Sequence, residues 1–268
     1  MFKRFLASCL ILALLALPAA PAAYAVSLRV GGTTVSGSLL YRGVTYVPLR
    51  PAARLLCPGA AVSWSDGQAV VKTSALTLTA RPGECWIGAN GRMLFVRDGV
   101  LLRNGTTYVP VRVLAKATGA SVRWDSAACA ASVSPGSGTI TPGSAYYNAD
   151  SLYWLSRIIS AESGGEPLFG KIAVGDVILN RVASPDFPDT IYDVIFDKAG
   201  GTQFTPVANG TVYNVPNSDS VLAAKLCLDG ASVAGASLFF LNPATASSSW
   251  IISSRSYVGT IGNHAFYA

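Results

Sequence analysis

A short pattern occurs twice in this chain: Arg42-Gly-Val-Thr-Tyr-Val-Pro-Leu-Arg50 returns as Asn104-Gly-Thr-Thr-Tyr-Val-Pro-Val-Arg112. Each copy leads into a helix-like segment, residues 51–56 and 113–118, and then into a strand ending in tryptophan, Val62-Ser-Trp64 and Val122-Arg-Trp124. Repetition at about sixty residues predicts two copies of one small α+β unit packed into one domain. Thr45-Tyr46-Val47 favours a strand, and Pro48 both ends it and presets the φ of a following helix. Residues 75–80 and 93–96 read as further strands, joined by turns at Asn90-Gly91 and Asp98-Gly99. The repeated tyrosines and tryptophans are expected in the core rather than on a sugar-stacking surface.

The chain opens with Lys3 and Arg4, an apolar run from Phe5 to Ala20, and Ala23 and Ala25 in an A-x-A arrangement. That is a secretory signal over residues 1–25, with cleavage expected before Val26 and no stable membrane anchor afterwards. Export makes disulfides possible among Cys57, Cys85, Cys129 and Cys227, and Cys57 with Cys85 is the expected pair. No C-x-x-C pair is present and His264 is the sole histidine, so a zinc site built from several histidines is excluded and no metal or cofactor is expected. The formal charge of +6 comes from scattered basic residues. It suits weak attraction to an anionic wall and argues against a nucleic-acid partner.

Residues 134–147, rich in Ser, Pro and Gly, have the composition of a flexible linker between a first domain at 26–133 and a second at 148–268. Such a linker would leave the second domain independent of the first. In that domain Asp150 stands where an N-cap would, and Leu152, Leu155, Ile158, Ile159 and Glu162 follow at helical spacing. Glu162 therefore falls on an apolar stripe just before Gly164-Gly165. Burial and the C-terminal end of the helix dipole both disfavour its charged form, as a general acid requires. The alternative is a buried glutamate satisfied by backbone groups or by Arg181. Further helices are expected over 171–182 and 219–229, and a strand over 237–243.

Two resemblances extend these readings. The repeats resemble the stalk-like domain first named from the N-terminus of copper amine oxidases, although this segment has no histidine or methionine cluster for copper. Ile159-Ser-Ala-Glu162-Ser-Gly-Gly-Glu166-Pro167, the run from Ala173 to Val182, Gln203-Phe204, Asn242-Pro-Ala-Thr245 and Ile261-Gly-Asn-His264-Ala-Phe266 resemble the SleB/CwlJ-type cell-wall hydrolases known from spore cortex-lytic enzymes.

The second resemblance implies a lysozyme-like or resuscitation-factor-like fold. It also implies cleavage of the β-1,4 bond between N-acetylmuramic acid and N-acetylglucosamine in peptidoglycan glycan strands, often as a lytic transglycosylase, with Glu162 as the catalytic glutamate. Glu166, Gln203, Phe204, Tyr257 and His264 are candidates for positioning sugar, each with a structural role as its alternative. Two rival functions remain open: a non-catalytic wall-binding scaffold, and a cysteine peptidase or amidase using Cys227 and His264.

Overall fold

The computed structural model describes residues 24–126, 130–199, 201–246 and 250–268, Val26 excepted. Apart from Tyr24 and Ala25, the signal segment lies outside the described residues, as does Cys129.

The two repeats meet across equivalent strands. Val44–Pro48 pairs antiparallel with Thr106–Pro110 so that Val47 faces Val109, Tyr46 faces Pro110 and Tyr108 faces Pro48. Each residue thus opposes the counterpart of its mirror position, which places a pseudo-two-fold axis between Val47 and Val109. These strands are the centre of a five-stranded sheet. Pro48 and Pro110, with φ of −64° and −60°, turn the chain into helices α1 (Leu49–Leu56) and α2 (Val111–Ala117). Both helices begin two residues earlier than the sequence reading, because the preset φ lets the residue after each proline enter the helix. Leu49, Ala52, Ala53 and Leu56 form the buried stripe of α1 at the expected spacing.

After α1 the chain forms a five-stranded antiparallel meander, Ala61–Ser65 to Arg92–Phe95. After α2 the hairpin Ser121–Asp125 and Ala130–Ser134 pairs in parallel with Ser27–Val30. The Asn90-Gly91 turn has φ of 49° and 81°, the double left-handed geometry that this dipeptide favours.

Two expectations are corrected here. Tyr46 is buried, with its hydroxyl donating to Gly99 O at 2.9 Å, but Trp64 and Trp124 are 53% and 44% exposed. Their strands are the outermost of their sheets. The Cys57–Cys85 disulfide is not formed; both thiols are free. Cys57 caps α1 with its Sγ turned to Gly138 O at 3.4 Å, whereas Cys85 precedes Trp86–Ala89 in the meander, so the two thiols serve different elements.

The segment between the repeats and the second domain is held along its length. Gly138 N donates to Thr118 O, Gly143 N donates to Asn90 O, and the Asn90 amide reaches Ile140 O. Composition predicted freedom, but backbone bonds need no large side chains, and this chain uses them. The short helix α3 (Gly143–Tyr146) then delivers Tyr147 into the interface between the domains.

The second domain packs α4 (Ala149–Ser163), α5 (Leu168–Ala183) and α8 (Ser218–Leu228) against one another; α6 (Ile191–Phe196) and α7 (Thr205–Asn209) lie between them in sequence. Helix α9 (Trp250–Ser254) and a small antiparallel sheet of 239–241, 264–267 and 257–261 complete it. The cap of α4 is Asn148, whose side chain accepts from Ser151 N at 2.9 Å; Asp150 stands in the first turn, where its charge favours the helix dipole. Gly175 lets α5 approach its neighbours: an added Cβ would stand 2.6 Å from Cys227 Sγ and 3.0 Å from Ile159 Cδ1. The whole is an α+β chain with a β-rich first domain and a mainly helical second one.

Candidate active site

Leu155, Ile158 and Ile159 are fully buried on α4, and Glu162 continues their stripe to the helix end, where the chain breaks at Gly164-Gly165. There the stripe emerges from the core into an open cleft of about 810 Å³, lined by Glu162, Glu166, Gln203, Phe204 and His264 among others. Burial alone raises the Glu162 carboxyl from its ordinary 4.5 to about 7. Among the described residues, no hydrogen bond or ion pair engages it. Arg181 is not its partner: Nε donates to Leu238 O at 2.7 Å, and Nη1 is buried without a hydrogen-bond partner.

Glu166 is held in the opposite electrostatic state. Burial works against its charge, but Asn263 donates to it from both backbone N and side-chain Nδ2, each at 2.9 Å, and its pKa falls below the ordinary value. Gly262 makes this approach possible, with φ of +61° and no Cβ to strike Glu166 Oε2, which it would meet at 1.9 Å. Lys171 Nζ donates to the Glu166 carbonyl and fixes the start of α5. Two glutamates four residues apart therefore share a cleft, one free and prone to protonation, the other ionised and bound.

The remaining sequence candidates divide. Gln203 reaches the cleft wall but spends its amide on Ala199 O at 2.9 Å and Gly201 O at 3.3 Å. Phe204 is 3% exposed and supports the wall more than it offers a stacking face. His264 lines the cleft, buried, and burial lowers its pKa against the opposing pull of Glu166. Tyr257 does not line the cleft; it is exposed, pairs its hydroxyl with Thr260 Oγ1 at 2.8 Å and packs on Tyr267. Cys227 is buried in α8, far from the helix N-terminus, and burial raises its thiol well above the ordinary value.

Residues 165–267 match the Cell Wall Hydrolase family, and residues 32–133 match the copper amine oxidase N-terminal domain. The second domain is a cell wall hydrolase domain. Over 120 residues, spore cortex-lytic enzymes from Bacillus cereus and Bacillus subtilis are 38% and 35% identical to this chain, covering 45% of it and 45% and 38% of theirs. The chain thus spans less than half the length of these relatives. The solved catalytic domain of the germination-specific lytic transglycosylase SleB from Bacillus anthracis is 37% identical, covering 48% of this chain and 100% of that one with a TM-score of 0.43.

The cell wall hydrolase match begins just after Glu162, so the role of that residue rests on its chemistry. Reasoning from sequence placed Asn242 and Thr245 in a motif without giving them a site role, and it missed the cleft residues Phe240 and Trp250. Trp250 is 53% exposed at the start of α9, with the Arg255 guanidinium 5.2 Å from its ring centroid and Phe239 edge-on to it at 5.8 Å. A lone aromatic after a run of serines carried the only signal. Among the described residues, no group of three or more His, Cys, Asp or Glu side chains is placed to hold a metal ion, and no helix is long and apolar enough to cross a membrane.

Proposed function

We propose that the hydrolase domain cleaves the β-1,4 bond between N-acetylmuramic acid and N-acetylglucosamine in peptidoglycan outside the cell, with Glu162 as general acid. The observation that carries this reading is an unpaired carboxyl, raised to about 7 by burial, at the wall of an open cleft. Protonated Glu162 donates to the glycosidic oxygen as the bond to C1 of the muramic residue breaks and positive charge develops there.

The second half of the reaction needs a nucleophile. Glu166 is a poor one, because both of its oxygens accept hydrogen bonds from Asn263. The substrate's own C6 hydroxyl is the better candidate: it attacks C1 while ionised Glu162 takes its proton, which leaves a 1,6-anhydro end and restores the acid. This is lytic transglycosylation, the activity named for the Bacillus anthracis protein. Product masses from purified peptidoglycan test it directly. Anhydro ends, lighter than reducing ends by one water, are expected; reducing ends alone would replace the C6 hydroxyl by water.

A further inference from the structure

The first domain carries two clefts of one construction. In the first, of about 500 Å³, Trp64 and Val62 on an outer strand and Arg50 at the start of α1 face the Gly105–Thr107 turn of the other repeat. In the second, of about 440 Å³, Trp124, Val122 and Arg112 face residues 43–45 of the first repeat. Each repeat supplies an indole, a valine and an arginine to its own cleft and a hairpin turn to its twin's. The pseudo-two-fold axis between Val47 and Val109 exchanges them.

The chemistry on the two sides is the same although other positions of the repeats differ. Trp64 stands opposite Ala69 and Trp124 opposite Ala131, so each indole has a methyl as its cross-strand neighbour. Both rings stay about half exposed, and Arg50 and Arg112 are exposed beside them. Val62 and Val122 of the same strands pack against the buried core, and neither indole belongs to it. An exposed indole offers a flat apolar face, and the adjacent guanidinium favours an anion.

We propose that the two clefts are glycan-binding subsites that hold peptidoglycan strands. Each indole stacks on the C–H face of a pyranose, and each arginine takes a carboxylate of the lactyl group or peptide stem. The choice of occupant rests on the wall-directed reading of the hydrolase domain and on charge complementarity, the chain keeping a formal +4 without Lys3 and Arg4 of the signal segment and peptidoglycan being anionic. Two weak subsites on one rigid domain gain retention by acting on the same strand.

Sedimentation of the full chain with purified sacculi tests this, using Glu162→Gln as background so that cleavage does not remove the ligand. Trp64→Ala/Trp124→Ala is expected to lower the bound fraction's apparent affinity by about tenfold or more, and each single change by less. Trp64→Phe/Trp124→Phe should keep most of the binding, and Arg50→Gln/Arg112→Gln should flatten its salt dependence.

In chains that keep Glu162, the double alanine variant should digest soluble muropeptide oligomers normally and sacculi slowly. A folded double alanine variant that sediments like its parent overturns the proposal while leaving cleavage untouched. So does a change from dimer to monomer in that variant without loss of sedimentation, which makes the clefts a self-association surface. Tryptophan-dependent binding by a chain that never digests sacculi keeps this proposal and removes the catalytic one.

Discussion

Asp229, which caps the end of α8 in the hydrolase domain, is buried against Arg92, which is buried in the meander of the first domain. Arg92 Nε lies 3.1 and 3.2 Å from its two oxygens, Tyr147 Oη donates to Oδ2 at 2.6 Å, and Lys116 Nζ is 3.2 Å from Oδ1. A negative charge at a helix C-terminus is unfavourable by itself, and two cations from the other domain offset it. Around this cluster Trp86, Met93 and Phe95 of the first domain pack on the hydrolase core. The domains are therefore docked.

Arg92→Ala leaves Asp229 buried with only Lys116 for charge, so the chain should lose about 3–5 kcal/mol of stability. Urea unfolding followed by tryptophan fluorescence is the measurement, and the parent chain should show one transition for both domains. A fragment of residues 145–268 should bind an apolar dye and aggregate, because it exposes the surface that Trp86, Met93 and Phe95 cover. A well-behaved fragment with an independent transition would show that the contact contributes little.

The clamp on Glu166 gives a second expectation. Gly262→Ala adds a Cβ 1.9 Å from Glu166 Oε2 at a φ of +61°, so both the carboxylate and the turn must shift. Melting temperature and activity should fall together, whereas Glu166→Gln, which keeps shape and one acceptor, should be milder in both. Equal and large loss of activity in Glu166→Gln with unchanged melting would assign that residue a direct part in the chemistry.

Where periodicity and turn chemistry govern, the sequence was legible. The repeat, the strand-to-helix corners at Pro48 and Pro110, the Asn90-Gly91 turn and the apolar stripe that carries Glu162 are all local signals. What it hid depends on contacts distant in sequence. Nothing near Asp229 announces Arg92, and nothing near Glu166 announces Asn263. The segment at 134–147 reads as loose because its anchors are backbone groups of Thr118 and Asn90. Trp64 and Trp124 were misassigned to the core because alternation gives a strand two faces without saying which is covered. The candidate site was half visible: its proposed acid lies in a regular helix, while Phe240 and Trp250 reach it through the return of the chain around the small sheet.

Free thiols give a third expectation. Burial pushes Cys57 and Cys85 above the ordinary thiol range, and neither is bridged. Intact mass after alkylation of the unfolded, unreduced chain should show both modified. Cys227→Ala should leave cleavage unchanged and cost about 1–2 kcal/mol for the vacated volume beside Gly175. Loss of activity in a folded Cys227→Ala chain would revive a thiol mechanism.

Stability should depend on pH in a direction set by two carboxyl groups. Glu162 is raised from 4.5 to about 7, and Asp176 from 3.8 to about 6, each chiefly by burial; in Asp176 the amides of Val233 and Ala234 work against the shift. Both groups hold a proton more tightly folded than unfolded. Their contribution is therefore fully present below about pH 4 and lost as pH rises to 6 and 7. For Glu162 it is on the order of 3 kcal/mol. Denaturant midpoints at pH 5 and pH 8 should differ accordingly, and Glu162→Gln should remove part of the difference by raising the pH 8 value. Buried His264, whose pKa is lowered, works in the opposite direction, so a midpoint that rises with pH over this interval would show that it outweighs both carboxyl groups.

The same carboxyl is the proposed acid of cleavage. The proposed acid must be protonated when the glycosidic bond breaks, so the rate on soluble peptidoglycan fragments should be level in mild acid and fall above the ionisation of Glu162 near 7. Glu162→Gln keeps the shape of the cleft wall and the helix but has no transferable proton. Its rate should fall by roughly 10²-fold or more, and what remains should lose the break near neutrality. Glu162→Asp withdraws the carboxyl from the cleft by one methylene but retains a proton to give, so its rate should lie between the two with the pH break preserved. Circular dichroism and melting of each variant separate chemistry from folding. A folded Glu162→Gln chain that releases muropeptides at the parent rate would move the acid to another group, and retention of the same pH break in that chain would assign the break to a group other than Glu162.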